Sequence, residues 1–260
     1  MARYSHSKVN CFENCAYQYK LKYIDKLEPD IPTTIEAFMG DMVHRTLEIL
    51  YKKLQDSGWR LSIEELVLYY DKIWEREYRE EILIVKKGLT ENHYRNLGRT
   101  FIRNYYEKYY PFNHLEILGI ETADFLKLPD GSIWHVRMDM LAKDEEGNYY
   151  VIDHKTNSKM KEQWEADKDE QLAMYSIWVK KNHIDAKEVK LVWNMLAFNE
   201  QVTSKRTNEQ LEKLQEQIMI KIARIENTTE YPAKISALCN YCGYQNICPY
   251  FKKAKEEGRV

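Results

Sequence analysis

The sequence predicts an α/β (α+β) fold, helical in its first half and built on strands in its middle. Two patterns predict it. Over about residues 34–110 the apolar residues recur at intervals of three and four, the period of helices with one buried face. After Pro111 apolar and polar residues alternate, the period of half-buried strands. A third observation agrees with both: 9 glycines and 6 prolines in 260 residues favour long elements over a loop-rich chain.

In the helical region Phe38, Met42, Leu47, Leu50, Tyr51 and Leu54 share one face, and Leu66, Tyr69, Tyr70, Ile73 and Trp74 another. Breaks are expected at residues 56–58 and 87–88, where glycine follows polar residues. The segments EILGIETADFLKL, SIWHVRMDML and NYYVIDHKT then form an antiparallel meander, separated by the turn residues Pro129, Asp130, Gly131 and Glu145, Glu146, Gly147. A helix over about 161–182, a strand over 189–198 and a charged amphipathic helix over about 208–225 follow, before a cysteine-rich tail.

Hydrophobic residues at 44% and charged residues at 31% are the balance of a soluble globular protein. One unit over residues 1–260 is expected. The formal net charge of -2 excludes a uniformly basic nucleic-acid-binding surface, so any phosphate contact must be a local groove. No run approaches the roughly 18 apolar residues of a membrane span, and MARYSHSKVN lacks the apolar stretch of a signal peptide. A cytoplasmic protein without membrane association is expected. No G-x4-G-K-[ST] occurs, so any motor activity belongs to a partner.

The chemistry concentrates in YYVIDHKTNSK. Alternation along a strand puts Asp153 and Lys155 on one side, about 7 Å apart, and His154 on the other. If the three-residue loop 145–147 has Gly147 in the left-handed position, Asn148 faces Asp144 and Asp153 falls opposite Asp139. Directly opposed β-carbons lie roughly 5 Å apart. Two carboxylates so close repel unless a cation sits between them, which makes a divalent metal the natural occupant. The plainer reading is a surface hairpin with a solvated salt bridge.

RMDML followed by VIDHKTNSK resembles the PD-(D/E)xK nucleases, in the version found in RecB-type exonucleases. Gly40-x3-His44 in MGDMVHRTLEIL is similar to that family's helical histidine motif, and Gln171-x3-Tyr175 in DEQLAMYSIW to its Q-x3-Y motif. Residues four apart share a helix face, so each pair can serve one site. The resemblance implies a restriction-endonuclease-like core, a mixed central sheet flanked by helices with an N-terminal helical insertion. It further implies that His44, Asp139, Asp153 and the His154 carbonyl hold one or two Mn2+ or Mg2+ ions. Lys155 would position water or offset developing charge, and Gln171 with Tyr175 would hold a nucleotide or orient Lys155.

Cys239, Cys242 and Cys248 form C-x2-C-x5-C in ALCNYCGYQNICPYF, one thiolate short of a tetrathiolate site for zinc or an iron-sulfur cluster. NCFENCAYQYKLKYID offers Cys11 and Cys15 as the fourth. In this the chain is similar to the iron-sulfur branch of RecB-like nucleases, and Cys15-Ala16-Tyr17-Gln18-Tyr19-Lys20 matches that branch's N-terminal motif with alanine in place of proline. The resemblance implies a structural 4Fe-4S cluster on Cys15, Cys239, Cys242 and Cys248, clamping the chain ends. The regions expected are then 34–110 helical, 115–200 nuclease core, and 11–26 with 232–252 around the cluster.

The function so implied is metal-dependent exonuclease digestion of DNA, single-stranded or with free ends, in repair, recombination or CRISPR adaptation. A helicase or a CRISPR adaptation protein is the implied partner. Among 20 tyrosines and 6 tryptophans some could stack on bases, and Lys20, Lys22, Lys159 and Lys161 are candidates for phosphate contacts. The rival reading is a catalytically silent DNA-binding subunit of a larger nuclease or helicase complex, stabilised by an iron-sulfur cluster or zinc.

Overall fold

Side chains that alternate apolar and polar along the middle of the chain, and recur every third or fourth position before it, sort onto two faces of one sheet. The computed structural model describes residues 3–260, so the first two residues of the expected unit lie outside the described residues. In chain order the elements are β1 (Arg3–Tyr4), α1 (His6–Asn14), α2 (Ala16–Tyr19, running into a wider π-type turn at Lys20–Ile24), α3 (Ile35–Ser57), α4 (Ile63–Glu77) and α5 (Glu91–Tyr109). Then come β2 (Glu116–Lys127), β3 (Ile133–Lys143), β4 (Tyr149–Lys155), α6 (Gln163–Asp167) and α7 (Glu170–Asn182). The chain ends with β5 (Val189–Met195), β6 (Glu200–Ser204), α8 (Asn208–Glu226) and α9 (Pro249–Glu256).

The helix ends follow local chemistry. Thr34 accepts the Ala37 N–H at the start of α3, and Gly58, at φ 67°, ends that helix in the left-handed conformation that glycine adopts without strain. Ser62 with Glu65, and Thr207 with Gln210, form reciprocal capping boxes on α4 and α8. The breaks expected near 56–58 and 87–88 are present. The helix expected over 161–182 divides at Lys168 and Asp169, because the Asp169 carboxylate accepts the Leu172 N–H and starts α7 afresh. The strand expected over 189–198 ends at Met195, where a turn leads into β6, an element the sequence reading did not include.

The sheet is mixed, in the order β1-β3-β4-β5-β6, with β2 on the other side of β3. The β2, β3, β4 meander is antiparallel, whereas β5 runs parallel to β4 after the α7 crossover and β1 runs parallel to β3. Met140 faces Ile152 and Lys143 faces Tyr149, the register that the Gly147 loop predicts, and Gly147 has φ 89°. One apolar layer joins Trp134, Val136, Val151, Leu191 and Trp193 to α1, α7 and α8. The other joins Met140, Ile152 and Val192 to α3, α4 and α5. This is a three-layer arrangement of helices, sheet and helices. No helix among the described residues is long and apolar enough to cross a membrane.

Topology also creates the gap in which the acids meet. On the side of β3 facing away from β2, Ile133 and Trp134 pair with β1, and Met140 to Lys143 pair with β4. Asp139 lies between those two pairings. Its carboxylate therefore reaches past the end of the ladder toward β4, and α3 closes over it from the second layer.

Candidate metal centre and cysteine cavity

The β3–β4 register brings Asp139 beside the end of β4, where its Oδ2 accepts the His154 N–H at 2.7 Å. Asp153 and Lys155 lie on the same side of β4, and Lys155 Nζ is 2.6 Å from Asp153 Oδ2. The His154 ring points the other way and packs edge-on against Tyr105 and His44. From α3, His44 Nε2 donates to the His154 carbonyl at 2.8 Å, while its Nδ1 lies 3.4 Å from Asp139 Oδ2 and 3.9 Å from Glu121 Oε1. Gly40, one turn earlier, lets α3 approach β4, since a β-carbon there would lie 3.0 Å from the Thr156 hydroxyl. The expected group of His44, Asp139, Asp153, the His154 carbonyl and Lys155 thus converges at one end of the sheet.

Glu121 joins that group without having been expected. Its Oε2 accepts two hydrogen bonds from Arg137, at 2.9 and 3.0 Å, and its backbone has φ 48°, a left-handed conformation that costs a non-glycine residue of order 1–3 kcal/mol. His44, Glu121 and Asp139 each offer a ligand atom within 4.8 Å of the others. An acid inside the apolar strand EILGIETADFLKL was the visible signal. What it lacked was a known partner register for β2.

The electrostatics follow from burial and crowding. Burial alone would lower the His44 imidazole, but the charge and hydrogen bond of Asp139, with Glu121 and Asp153 behind them, hold it up at about 10. Both ring nitrogens face acceptors, which suits the imidazolium form. Burial raises Asp139 too, yet His44 and the His154 N–H outweigh this and keep its carboxyl below the ordinary range. Asp153 is pushed up by burial and by the Asp139 charge, against the pull of Lys155. Burial drives the His154 ring down to about 4, so that ring is neutral.

Three carboxylates and a backbone carbonyl are hard oxygen donors of the kind that take Mg2+ or Mn2+, and the borderline imidazole among them suits Mn2+. The repulsion carried by Asp139 and Asp153 is what a divalent cation relieves, so the residues fit such an ion. A cleft of about 320 Å3, bordered by Gly40, His44, Glu121, Arg137, Asp139 and Thr156, opens the group to the outside. Gln171 Nε2 donates to the Tyr175 hydroxyl at 3.3 Å, and Tyr175 is raised by burial and by the field of Asp153 and Asp139. The pair therefore borders the acids. Neither of the two side chains is hydrogen-bonded to Lys155.

Apart from that cleft, a cavity of about 240 Å3 is edged by Cys15, Cys239, Cys242 and Cys248. The N-terminal segment and the tail meet there because Tyr17 N–H bonds the Pro232 carbonyl and Tyr244 hydroxyl bonds the Leu27 carbonyl. Burial pushes the Cys242 thiol up, and the fields of Cys15, Cys239 and Cys248 all reach it. Cys11 does not border the cavity, and burial raises its thiol to about 11. Four thiols border this one cavity, the donor type of a tetrathiolate site, but among the described residues no three of them bring their sulfurs within 4.8 Å of one another.

Among curated proteins none matches the chain. A solved structure titled "Crystal structure of SSO0001" aligns over 82% of this chain and 97% of its own, at 14% identity and a TM-score of 0.37. The model of the PD-(D/E)XK nuclease superfamily matches residues 3–249, nearly the whole length, and spans every acid, histidine, lysine and cysteine described above. The chain belongs to the PD-(D/E)XK nuclease superfamily.

Proposed function

We propose that the protein is a DNA exonuclease of the RecB/AddB-like iron-sulfur branch, digesting single-stranded ends with Mn2+ or Mg2+ and carrying a structural 4Fe-4S cluster. The observation that carries this reading is the convergence of His44, Glu121 and Asp139 on one open cleft, with the buried Asp153, paired to Lys155, on the neighbouring strand. The four cysteines around a separate cavity support the cluster. On this reading residues 1–260 act as one nuclease unit, with the helical part at 34–110, the core at 115–200 and the cluster region at 11–26 and 232–252.

Each residue then has a task. Asp139, Asp153, His44 and the His154 carbonyl would hold the ion, with Glu121 a further carboxylate beside them. To do so His44 would give up the proton on Nδ1, the nitrogen that faces Asp139 and Glu121, while Nε2 keeps its bond to the His154 carbonyl. A divalent ion, when bound, lowers the pKa of water and stabilises charge on the phosphoryl oxygens. Lys155 orients the attacking water or offsets the charge that develops on the phosphate, and its ion pair holds its ammonium beside Asp153. Gln171 and Tyr175 steady a nucleotide beside it. Repair, recombination and CRISPR adaptation in the cytoplasm, with a helicase or adaptation protein as partner, are the settings in which such an activity would serve.

The test is Mn2+-dependent digestion of end-labelled single-stranded DNA by anaerobically purified protein, beside Asp153→Ala and Lys155→Ala. We expect a loss of about 100-fold or more in each variant, since each removes an electrostatic contribution to the transition state. Brown colour should persist in both. A parent protein as inert as its variants over metals and DNA forms would replace this reading with a silent DNA-binding subunit.

A further inference from the structure

We infer that a second groove, next to the catalytic cleft, binds the backbone and one base of the single strand leading to it. This rests on the nuclease reading and extends it from a cleavage centre to a strand path. The groove has a volume of about 250 Å3 and lies between α2, the first turn of α3 and the cysteine-rich tail. Ala37 borders both it and the cleft that holds His44 and Asp139. A strand seated at the acids therefore enters the groove by following α3 backward for two turns.

The lining suits a nucleotide. Lys22 is exposed, and its ammonium lies 5.4 Å from the Tyr23 ring centre with no carboxylate partner among the described residues, whereas the neighbouring Lys20 is bound to Asp25 at 2.5 Å. Gln18 and Thr33 offer neutral donors, and the half-exposed Tyr241 ring offers a face on which a base can stack. Glu36, the acid nearest the junction, is turned aside by the bond it accepts from the Tyr94 hydroxyl at 2.8 Å. A protein of net charge -2 has to recruit phosphate through local cations, and Lys22 is one set free to do so.

The groove is also built rather than incidental. Its floor is the contact between Gly243 and the 29–31 segment, where a β-carbon on Gly243 would lie 2.9 Å from the Ile31 carbonyl oxygen and 3.0 Å from Pro29. Ile31 N–H bonds the Gly243 carbonyl at 3.1 Å, and Asn246 N–H bonds Asp30 at 3.0 Å. The tail and the strap of residues 27–34 that precedes α3 are thereby held together as that floor.

The experiment measures binding of fluorescent oligothymidylates of increasing length to full-length protein in an Asp153→Asn background, with Mn2+, over a series of salt concentrations. Affinity should rise as the oligomer grows long enough to leave the cleft. Tyr241→Ala should remove about tenfold of that gain, and Lys22→Ala should also lower the salt slope by about 0.7, the loss of one phosphate contact on a single strand. Iron content and melting temperature are followed in each variant, because the Lys22 charge also reaches Cys11. A length gain and salt slope that survive both substitutions, in a protein whose Asp153 form digests single strands, overturn the groove alone. A parent that neither digests nor binds overturns the groove together with the nuclease reading.

Discussion

His44 is held between acceptors on both ring nitrogens, so in the metal-free protein it keeps its proton up to about pH 10. A folded-state pKa raised above the ordinary value near 6.5 contributes stability that is complete below 6.5 and is lost as pH rises through 10. Metal binding has the opposite sign, because the ligand is the neutral imidazole and the proton must leave. At pH 7 we therefore expect close to one proton released per Mn2+ bound, read from calorimetry in buffers of different ionisation enthalpy. Affinity should rise steadily between pH 6 and pH 9, and His44→Ala should abolish both effects. Affinity independent of pH, with no proton released, would remove His44 from the ligand set. Asp153, pushed up to about 6 by burial against the pull of Lys155, titrates at the lower edge of this window, so the slope that His44 carries is read above pH 7.

At the scale of elements, the crossing of α4 and α5 sets the thickness of the helical layer over the site. Gly98 is the point of closest approach, and a β-carbon there would meet the buried Tyr70 hydroxyl oxygen at 2.1 Å. Alanine is favoured over glycine inside a helix by about 1 kcal/mol, but overpacking a core costs about 1–3 kcal/mol and Tyr70 has nowhere to move. Gly98→Ala should lower the melting temperature by several degrees, at about 2–4 °C per kcal/mol, while Mn2+ binding persists. An unchanged melting temperature would mean that Tyr70 can swing out of the layer. Helices and the central hairpin were legible in the sequence because their periods and the Gly147 turn are local, and Asp139 opposite Asp153 follows from that turn. Glu121 was not, since its place depends on how β2 pairs with β3 around a left-handed residue, and the split at Asp169 was hidden inside a continuous helical pattern.

Across the whole molecule, the N-terminal segment and the tail meet at the cysteine cavity, and the tail is tied by hydrogen bonds to the strap that leads into α3. A group bound to both ends closes a loop of nearly the entire chain, which by chain entropy is worth about 5 kcal/mol to the folded state. That strap carries the restraint onward, since Tyr244 and Gly243 hold Leu27 and Ile31 a few residues before the helix that bears His44. Cys248→Ser should therefore bleach the protein, lower its melting temperature by about 10 °C or more, and weaken Mn2+ binding at a centre it does not touch. Cys11→Ser should do none of these, because Cys11 lies beside the cavity without bordering it and its buried thiol is raised to about 11. Visible absorbance, calorimetry and Mn2+ titration on the two variants, with Cys15→Ser beside them, check each link separately. Bleaching in Cys11→Ser with colour retained in Cys15→Ser would exchange the two as ligands, and equal stability of Cys248→Ser and the parent would remove the clamp.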